Sequence, residues 1–260
     1  MKIIFLGSGS AFTIGANNYQ SNMLVENDNG NGLLIDCGSD ARLALHELKL
    51  NHRKIDSVYI SHLHADHTGG LEWLAFTTYF DNTSKKPTLY IAKSLVDDLW
   101  NKVLSGGLSS LDEKEANLDT YFNVSAVEDG GAFSWSGLKF QLVPTIHVSS
   151  NKNPVPSYGL FFGPKQLQIF LTTDTQFAPD HFKEYYERAH IIFHDCETSK
   201  KQSHIHANYD ELKTLDDSIK HKMWLFHYNP GPLPDCKKDG FRGFVQKGQI
   251  FDFDNQLSLN

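Results

Sequence analysis

Four side chains able to bind a metal fall within six positions. They are His62, His64, Asp66 and His67, in the run Ser61-His62-Leu63-His64-Ala65-Asp66-His67-Thr68-Gly69-Gly70. Imidazoles with one carboxylate suit zinc first, and manganese or iron at greater cost. Ligands this close would crowd a single ion, so a pair of metals is the better reading. Two divalent ions about 3.5–4 Å apart can hold a shared water and bring its pKa near neutrality. The chemistry within reach is therefore hydrolysis. A lone His at a strand end is ordinarily solvated or packed. The weight here rests on the pattern, His-x-His-x-Asp-His between an apolar strand and a Gly-Gly helix start.

The elements around the motif must carry it to one place. It follows Ser57-Val58-Tyr59-Ile60, an apolar run read as a strand. If that strand continues, Leu63 and Ala65 alternate with His62 and His64, and both imidazoles share a face. A helix is expected after Gly69-Gly70, leaving Asp66 and His67 in the turn at the strand's carboxyl end. Open α/β sheets place ligands there. Other short apolar runs predict strands at 3–6, 23–26, 33–36, 88–91, 139–143, 159–162, 168–171, 191–193 and 223–226. Asp28-Asn29-Gly30 predicts a hairpin turn between the second and third. Helices are expected at 40–49, from an acidic cap at Asp40, and at 70–80, 94–104 and 208–215. Residues 106–119 read as an irregular insertion and 149–156 as a loop. Hairpins first, then strands interleaved with helices, predict an α/β sandwich of mixed sheets. No linker or low-complexity tract divides the chain, so one domain over 1–260 is expected.

Composition narrows the partners. The chain has 260 residues, 24 Lys+Arg against 31 Asp+Glu, and a formal net charge of −7. That balance argues against holding long nucleic acid by counterion release, which needs a basic face. At 40% hydrophobic and 21% charged it has material for a sizeable core, and disorder and coiled coil are excluded. Three cysteines cannot all pair and form no Cys-x-x-Cys, so free thiols and a cytoplasmic setting are expected. The first apolar run ends at Gly7, too short for a leader core, and nowhere do about 18 apolar residues run together as a membrane span requires. Gly7-Ser8-Gly9 has Phe12 where a dinucleotide fingerprint needs its third glycine.

His62-Leu63-His64-Ala65-Asp66-His67 resembles the signature of the metallo-β-lactamase-fold hydrolases, and the resemblance runs along nearly the whole chain. Phe5-Leu6-Gly7-Ser8-Gly9-Ser10 is similar to that family's first strand and turn. Leu34-Ile35-Asp36-Cys37-Gly38 is similar to its acidic strand end, and Thr172-Thr173-Asp174-Thr175 to the segment bearing its bridging aspartate. Ala189-His190-Ile191-Ile192-Phe193-His194-Asp195 is similar to the ribonuclease Z branch. The resemblance implies a four-layer αββα sandwich of two mixed sheets. It also implies the remaining ligands. His62, His64, His147 and Asp174 would hold one metal; Asp66, His67, His227 and Asp174 would hold the other. Asp36 would accept from a ligand imidazole.

The same resemblance offers a proton donor, His206 by the better match and His204 as the fallback. Asp66 would orient or deprotonate the attacking water. A histidine that binds no metal suits a phosphodiester, whose alkoxide leaving group needs a proton. Ribonuclease Z carries a long tRNA-gripping arm between its third ligand and the bridging aspartate. Here His147 and Asp174 are too close for one, and the charge is wrong for gripping tRNA. A small nucleotide such as a cyclic nucleotide is the preferred substrate, with RNA, esters and thioesters as alternatives. A binding or sensor module without activity is the competing class, and the complete ligand set argues against it. Tyr19, Asn22, Tyr158 and the aromatic residues of 71–80 could face a base, although most aromatics should fill the core. The branch is often dimeric, so a homodimer is expected; no membrane partner is.

Overall fold

The short apolar runs form strands whose alternating side chains divide between two hydrophobic clusters. Ile169, Leu171, Ile191 and Phe193 join one cluster; Phe170 and Ile192, on the opposite faces of the same strands, join the other. The structure is a computed structural model and describes residues 1–15, 17–111, 114–148 and 155–253.

Two seven-stranded mixed sheets result. The first runs in the order Ile250–Asp252, Lys2–Phe5, Met23–Glu26, Gly32–Ile35, Ile55–Ile60, Thr88–Ala92, Asn123–Val127. Its first four strands pair antiparallel and the rest parallel. The second runs Gly243–Phe244, Met223–Phe226, Ile191–Asp195, Ile169–Leu171, Val155–Phe162, Leu138–Val148, Ala132–Trp135, changing from parallel to antiparallel at Ile169–Leu171. Phe5 of the first sheet meets Phe193 and Phe226 of the second at ring centroids of 5.0 and 5.9 Å. The Tyr59 hydroxyl donates to the Tyr158 carbonyl at 2.7 Å, a second tie between the sheets. On the outer faces, Ala44 and Leu45 of Ala41–Glu47 and Leu71 and Leu74 of Leu71–Phe80 cover the first sheet, while Phe182 and Tyr186 of Pro179–Arg188 cover the second.

Several expectations need correction. Asp40 precedes its helix, but its carboxylate accepts from the Gln20 backbone N–H at 2.9 Å and makes no cap bond. The expected 139–143 strand extends to Val148, with an irregularity between Thr145 and Val148, so His147 lies in the strand and not beyond it. Within 106–119, Ser110–Leu111 pairs with Lys114–Glu115 and Asn117 starts a capped helical turn, while 112–113 lie outside the described residues. Of the loop at 149–156, 149–154 also lie outside them. The expected 208–215 helix is one turn, Tyr209–Leu212. Pro179–Arg188 is a helix beyond those expected; Phe182 and Tyr186, four residues apart, form its buried stripe, and Pro179 stands in its first turn. No helix among the described residues is long and apolar enough to cross a membrane. Cys37, Cys196 and Cys236 are buried free thiols.

The motif is held by a clasp of small residues. Cys37 N–H donates to the His67 carbonyl and Gly70 N–H to the Cys37 carbonyl, both at 2.8 Å. Gly38 N–H donates to the Asn22 side-chain oxygen at 2.6 Å. A Cβ on Gly38 would overlap the Asp66 carbonyl oxygen, so the strand end approaches the motif this closely only with glycine there. Gly38→Ala should therefore cost about 1–3 kcal/mol of stability, read from the urea midpoint. An unchanged midpoint would contradict the contact.

Candidate metal centre

The sheets converge at the carboxyl ends of their central strands, and the chain turns there in strained backbone. Asp36, one residue past Gly32–Ile35, has φ 60°; Thr173, just past Ile169–Leu171, has φ 53°; His227, one past Met223–Phe226, has φ 60°. Left-handed backbone is uncommon for Asp and His and a true outlier for β-branched Thr. Each such turn reverses the chain at once and throws a side chain into the gap between the sheets. The Ile55–Ile60 strand ends where its apolar run ends and does not continue through the motif. His62 and His64 lie in extended chain, and Asp66 and His67 lie on a one-turn helix, Ala65–Thr68, begun at His64.

Among the described residues, ligand atoms of His62, His64, His147 and Asp174 form one group within 4.8 Å of one another, and those of Asp66, His67, Asp174 and His227 form another. In the first, His64 Nδ1 lies 3.1 Å from both His62 Nε2 and His147 Nε2, and Asp174 Oδ2 is 3.7 and 3.8 Å from those two. In the second, His67 Nε2 is 3.2 Å from Asp66 Oδ2 and 3.3 Å from Asp174 Oδ2; His227 Nε2 is 3.2 Å from Asp66 Oδ2 and 3.5 Å from Asp174 Oδ1. Zinc–nitrogen bonds of 2.0–2.1 Å in a tetrahedron put ligand atoms about 3.3 Å apart, so both groups have the span of a closed coordination shell.

Electrostatics point the same way. Asp174 is fully buried; desolvation opposes its charge, but the His227 and His67 rings hold its carboxyl well below the usual range. Burial pulls His67 down, and the Asp174, Asp66 and Asp36 carboxylates more than reverse that, raising it well above an ordinary imidazole. Burial drives His62, and less strongly His64 and His147, towards the neutral form. The carboxylates thus demand positive charge from their surroundings. His67 Nε2 and Asp174 Oδ1 are buried without a hydrogen-bond partner. An orphaned imidazole nitrogen beside an orphaned carboxylate oxygen is the donor set a divalent cation fits.

The back nitrogens of His67, His147 and His62 are fixed as ligating histidines require. His67 Nδ1 meets Asp36 Oδ2 at 2.8 Å, His147 Nδ1 the Ile205 carbonyl at 2.8 Å, and His62 Nδ1 the Ser61 hydroxyl at 3.1 Å. His227 Nδ1 is 3.4 Å from Asp195 Oδ1. Asp195 also takes His206 Nδ1 on Oδ2 at 2.7 Å and the Thr175 N–H at 2.9 Å. No role was assigned to Asp195 from sequence. Its one signal is its place as the last residue of a buried strand. His206 reaches the cluster, its ring 4.8 Å from that of His227, and Asp195 raises its pKa despite burial. His204 is exposed in left-handed backbone with φ 63°.

Two substrate candidates fall elsewhere. Asn22 is wholly buried, with its amide spent on Gly38 N–H and the Gln20 carbonyl, because it shapes the clasp. Tyr158 is also buried, its hydroxyl 2.9 Å from that of Ser94. Neither faces an open site. Tyr19 is half-buried under the Lys247 ammonium.

Residues 1–251 match the profile of the Anti-Pycsar protein Apyc1 family. An Anti-Pycsar protein Apyc1 from Paenibacillus harenae is 36% identical over 230 residues, covering 88% of this chain and 90% of that one. The chain belongs to the Anti-Pycsar Apyc1 family. Another such protein, from Bacillus phage vB_BsuM-Goe3, is 33% identical over 95% of this chain and 96% of its own. Among solved structures, the metallo-β-lactamase fold protein YhfI from Bacillus subtilis superposes with a TM-score of 0.74 at 20% identity, covering 96% and 98% of the two chains. The fold expected from the motif is thereby shown.

Within this Apyc1 family member, Asp36 meets His67 directly and reaches His62 only through the Ser61 hydroxyl, which donates to Asp36 Oδ2 at 2.8 Å. Asp36→Asn should weaken the metal beside His67 by about 10–100-fold in competition with a chelator and the one beside His62 by clearly less. Equal loss of both, or of neither, would contradict the two-group arrangement.

Proposed function

We propose that the protein hydrolyses a small phosphodiester, a cyclic nucleotide in the first instance, with two divalent ions held by the groups that share Asp174. When bound, such ions supply Lewis acidity and an acidified water. Zinc is the first expectation from these ligands, with manganese or iron also suited. Asp66 presents Oδ2 to His67 and His227 and keeps Oδ1 to orient the attacking water and take its proton. Asp195 Oδ2 accepts from His206 Nδ1–H, which fixes that ring and supports a cationic imidazolium. His206 Nε2–H is then the donor to the leaving ribose oxygen.

The observation that carries the reading is this Asp195–His206 pair. A thioester's thiolate leaves with little protonation, whereas a ribose alkoxide needs a full proton. Burial matters too. Asp66, His67, His147, Asp174 and His227 are nearly inaccessible, while His64 and His206 are partly exposed and mark the entry side. The segment between His147 and Asp174 is filled in its described part by two strands of the second sheet, which favours a compact substrate over folded RNA. A ribonuclease Z-like activity is the second reading, and the substrate panel separates them.

His206→Ala should cost about 10²–10⁴-fold in kcat on a cyclic nucleotide. It should cost far less on bis(p-nitrophenyl) phosphate, whose leaving group departs without a proton. Equal losses on both substrates would remove His206 as the donor. Purified protein offered 3′,5′-cyclic nucleotides and pre-tRNA should turn over the former; cleavage of pre-tRNA alone would replace this reading with the second.

A further inference from the structure

The loop after the first strand carries two apolar side chains that none of the described residues covers. Phe12 is 77% and Ile14 94% exposed. Single exposed hydrophobics are ordinary. These two stand two residues apart, on a loop rooted in the site. Ser8 accepts the His227 N–H on its carbonyl at 2.7 Å, and Ser10 N–H donates to the Tyr228 carbonyl at 3.0 Å. Gly9 bridges both Gln20 and Tyr228, so both ends of the loop are anchored beside His227. Ile146, also exposed, directly precedes His147. Three of the exposed large apolar residues therefore adjoin the metal groups in the chain or through these bonds.

Beside the loop lies a cavity of about 320 Å³, between Ile14 and Asn17 on one wall and Asn229 and Pro230 on the other. That is the lower end of small-ligand pockets and too small for a folded partner. Apolar faces with side-chain amides beside them suit a flat heteroaromatic ring, which stacks on the former and hydrogen-bonds to the latter.

We infer that Phe12 and Ile14 form a nucleobase platform, and that this loop sets the KM for base-bearing substrates. The inference rests on the cyclic-nucleotide reading above. The test compares wild type, Phe12→Ala/Ile14→Ala and Phe12→Trp on 3′,5′-cyclic nucleotides and on 1-deoxyribose 3′,5′-cyclic phosphate, which lacks the base. The double variant should raise KM for the nucleotides about 10-fold or more, with kcat within about 3-fold. Its KM for the base-free compound should move far less, and Phe12→Trp should keep the wild-type KM. Light scattering and metal analysis accompany the kinetics. An unmoved nucleotide KM would overturn the platform. So would a halved molar mass with kcat lost on both substrates, which would make the loop a subunit contact. If wild type turned over no cyclic nucleotide, the underlying reading would fail and the platform with it, and the wild-type arm alone would reveal that.

Discussion

A fully buried carboxylate has to be compensated, and Asp174 is one. It lies between the two sheets with five imidazoles, those of His62, His67, His147, His206 and His227, within 4 Å of its oxygens and one oxygen left without a hydrogen bond. An uncompensated charge at such depth costs several kcal/mol. The surrounding structure is organised to supply the compensation. Motif residues come from the first sheet, His147 and His227 from the second, and Asp174 is the group at which they meet. The compensation is divided unequally, with His67 and His227 drawn towards the charged form and His62 towards the neutral one. A pair of cations resolves that division without requiring the buried rings to hold protons.

The carboxylate is placed at the cost of strained backbone. Asp36, Thr173 and His227 each turn through left-handed φ directly after a central strand. Regular strand geometry would carry the chain on along the sheet, with successive side chains on alternate faces. A single left-handed residue instead ends the strand and redirects the chain into the crevice. Aromatic contacts between the sheets, with Phe5 packed on both Phe193 and Phe226, hold the strand ends at the spacing the groups need. The clasp of Cys37, Gly38 and Gly70 around the motif does the same on the first sheet.

Much of this was legible in the residues. Strands announced themselves as short apolar runs because buried strands need both faces covered. The motif was legible because its spacing has few other uses. The fold followed from its resemblance and is shown by comparison. Less legible was whatever depends on distant chain. Asp195 makes its contacts to His206 and His227 across strand ends, and no local pattern encodes that. Asn22 looked like a ligand-facing amide, but an amide buried beside a glycine clasp serves the backbone. His147 sits inside a strand, in the stretch where pairing with its neighbour shifts register between Thr145 and Val148, and such a shift involves residues distant in the chain. In Pro179–Arg188 the apolar stripe is two aromatic residues, Phe182 and Tyr186, in an otherwise polar segment, so the period is there but the run is not apolar.

The central claim is that Asp174 is shared by two metals. Anomalous diffraction from crystals grown with zinc and collected at the zinc edge tests it most directly. Two peaks about 3.5–4 Å apart are predicted, each about 2 Å from an Asp174 oxygen, one among His62, His64 and His147 and the other among Asp66, His67 and His227. A single peak at full occupancy, or two peaks of which one leaves Asp174 uncoordinated, would contradict the account.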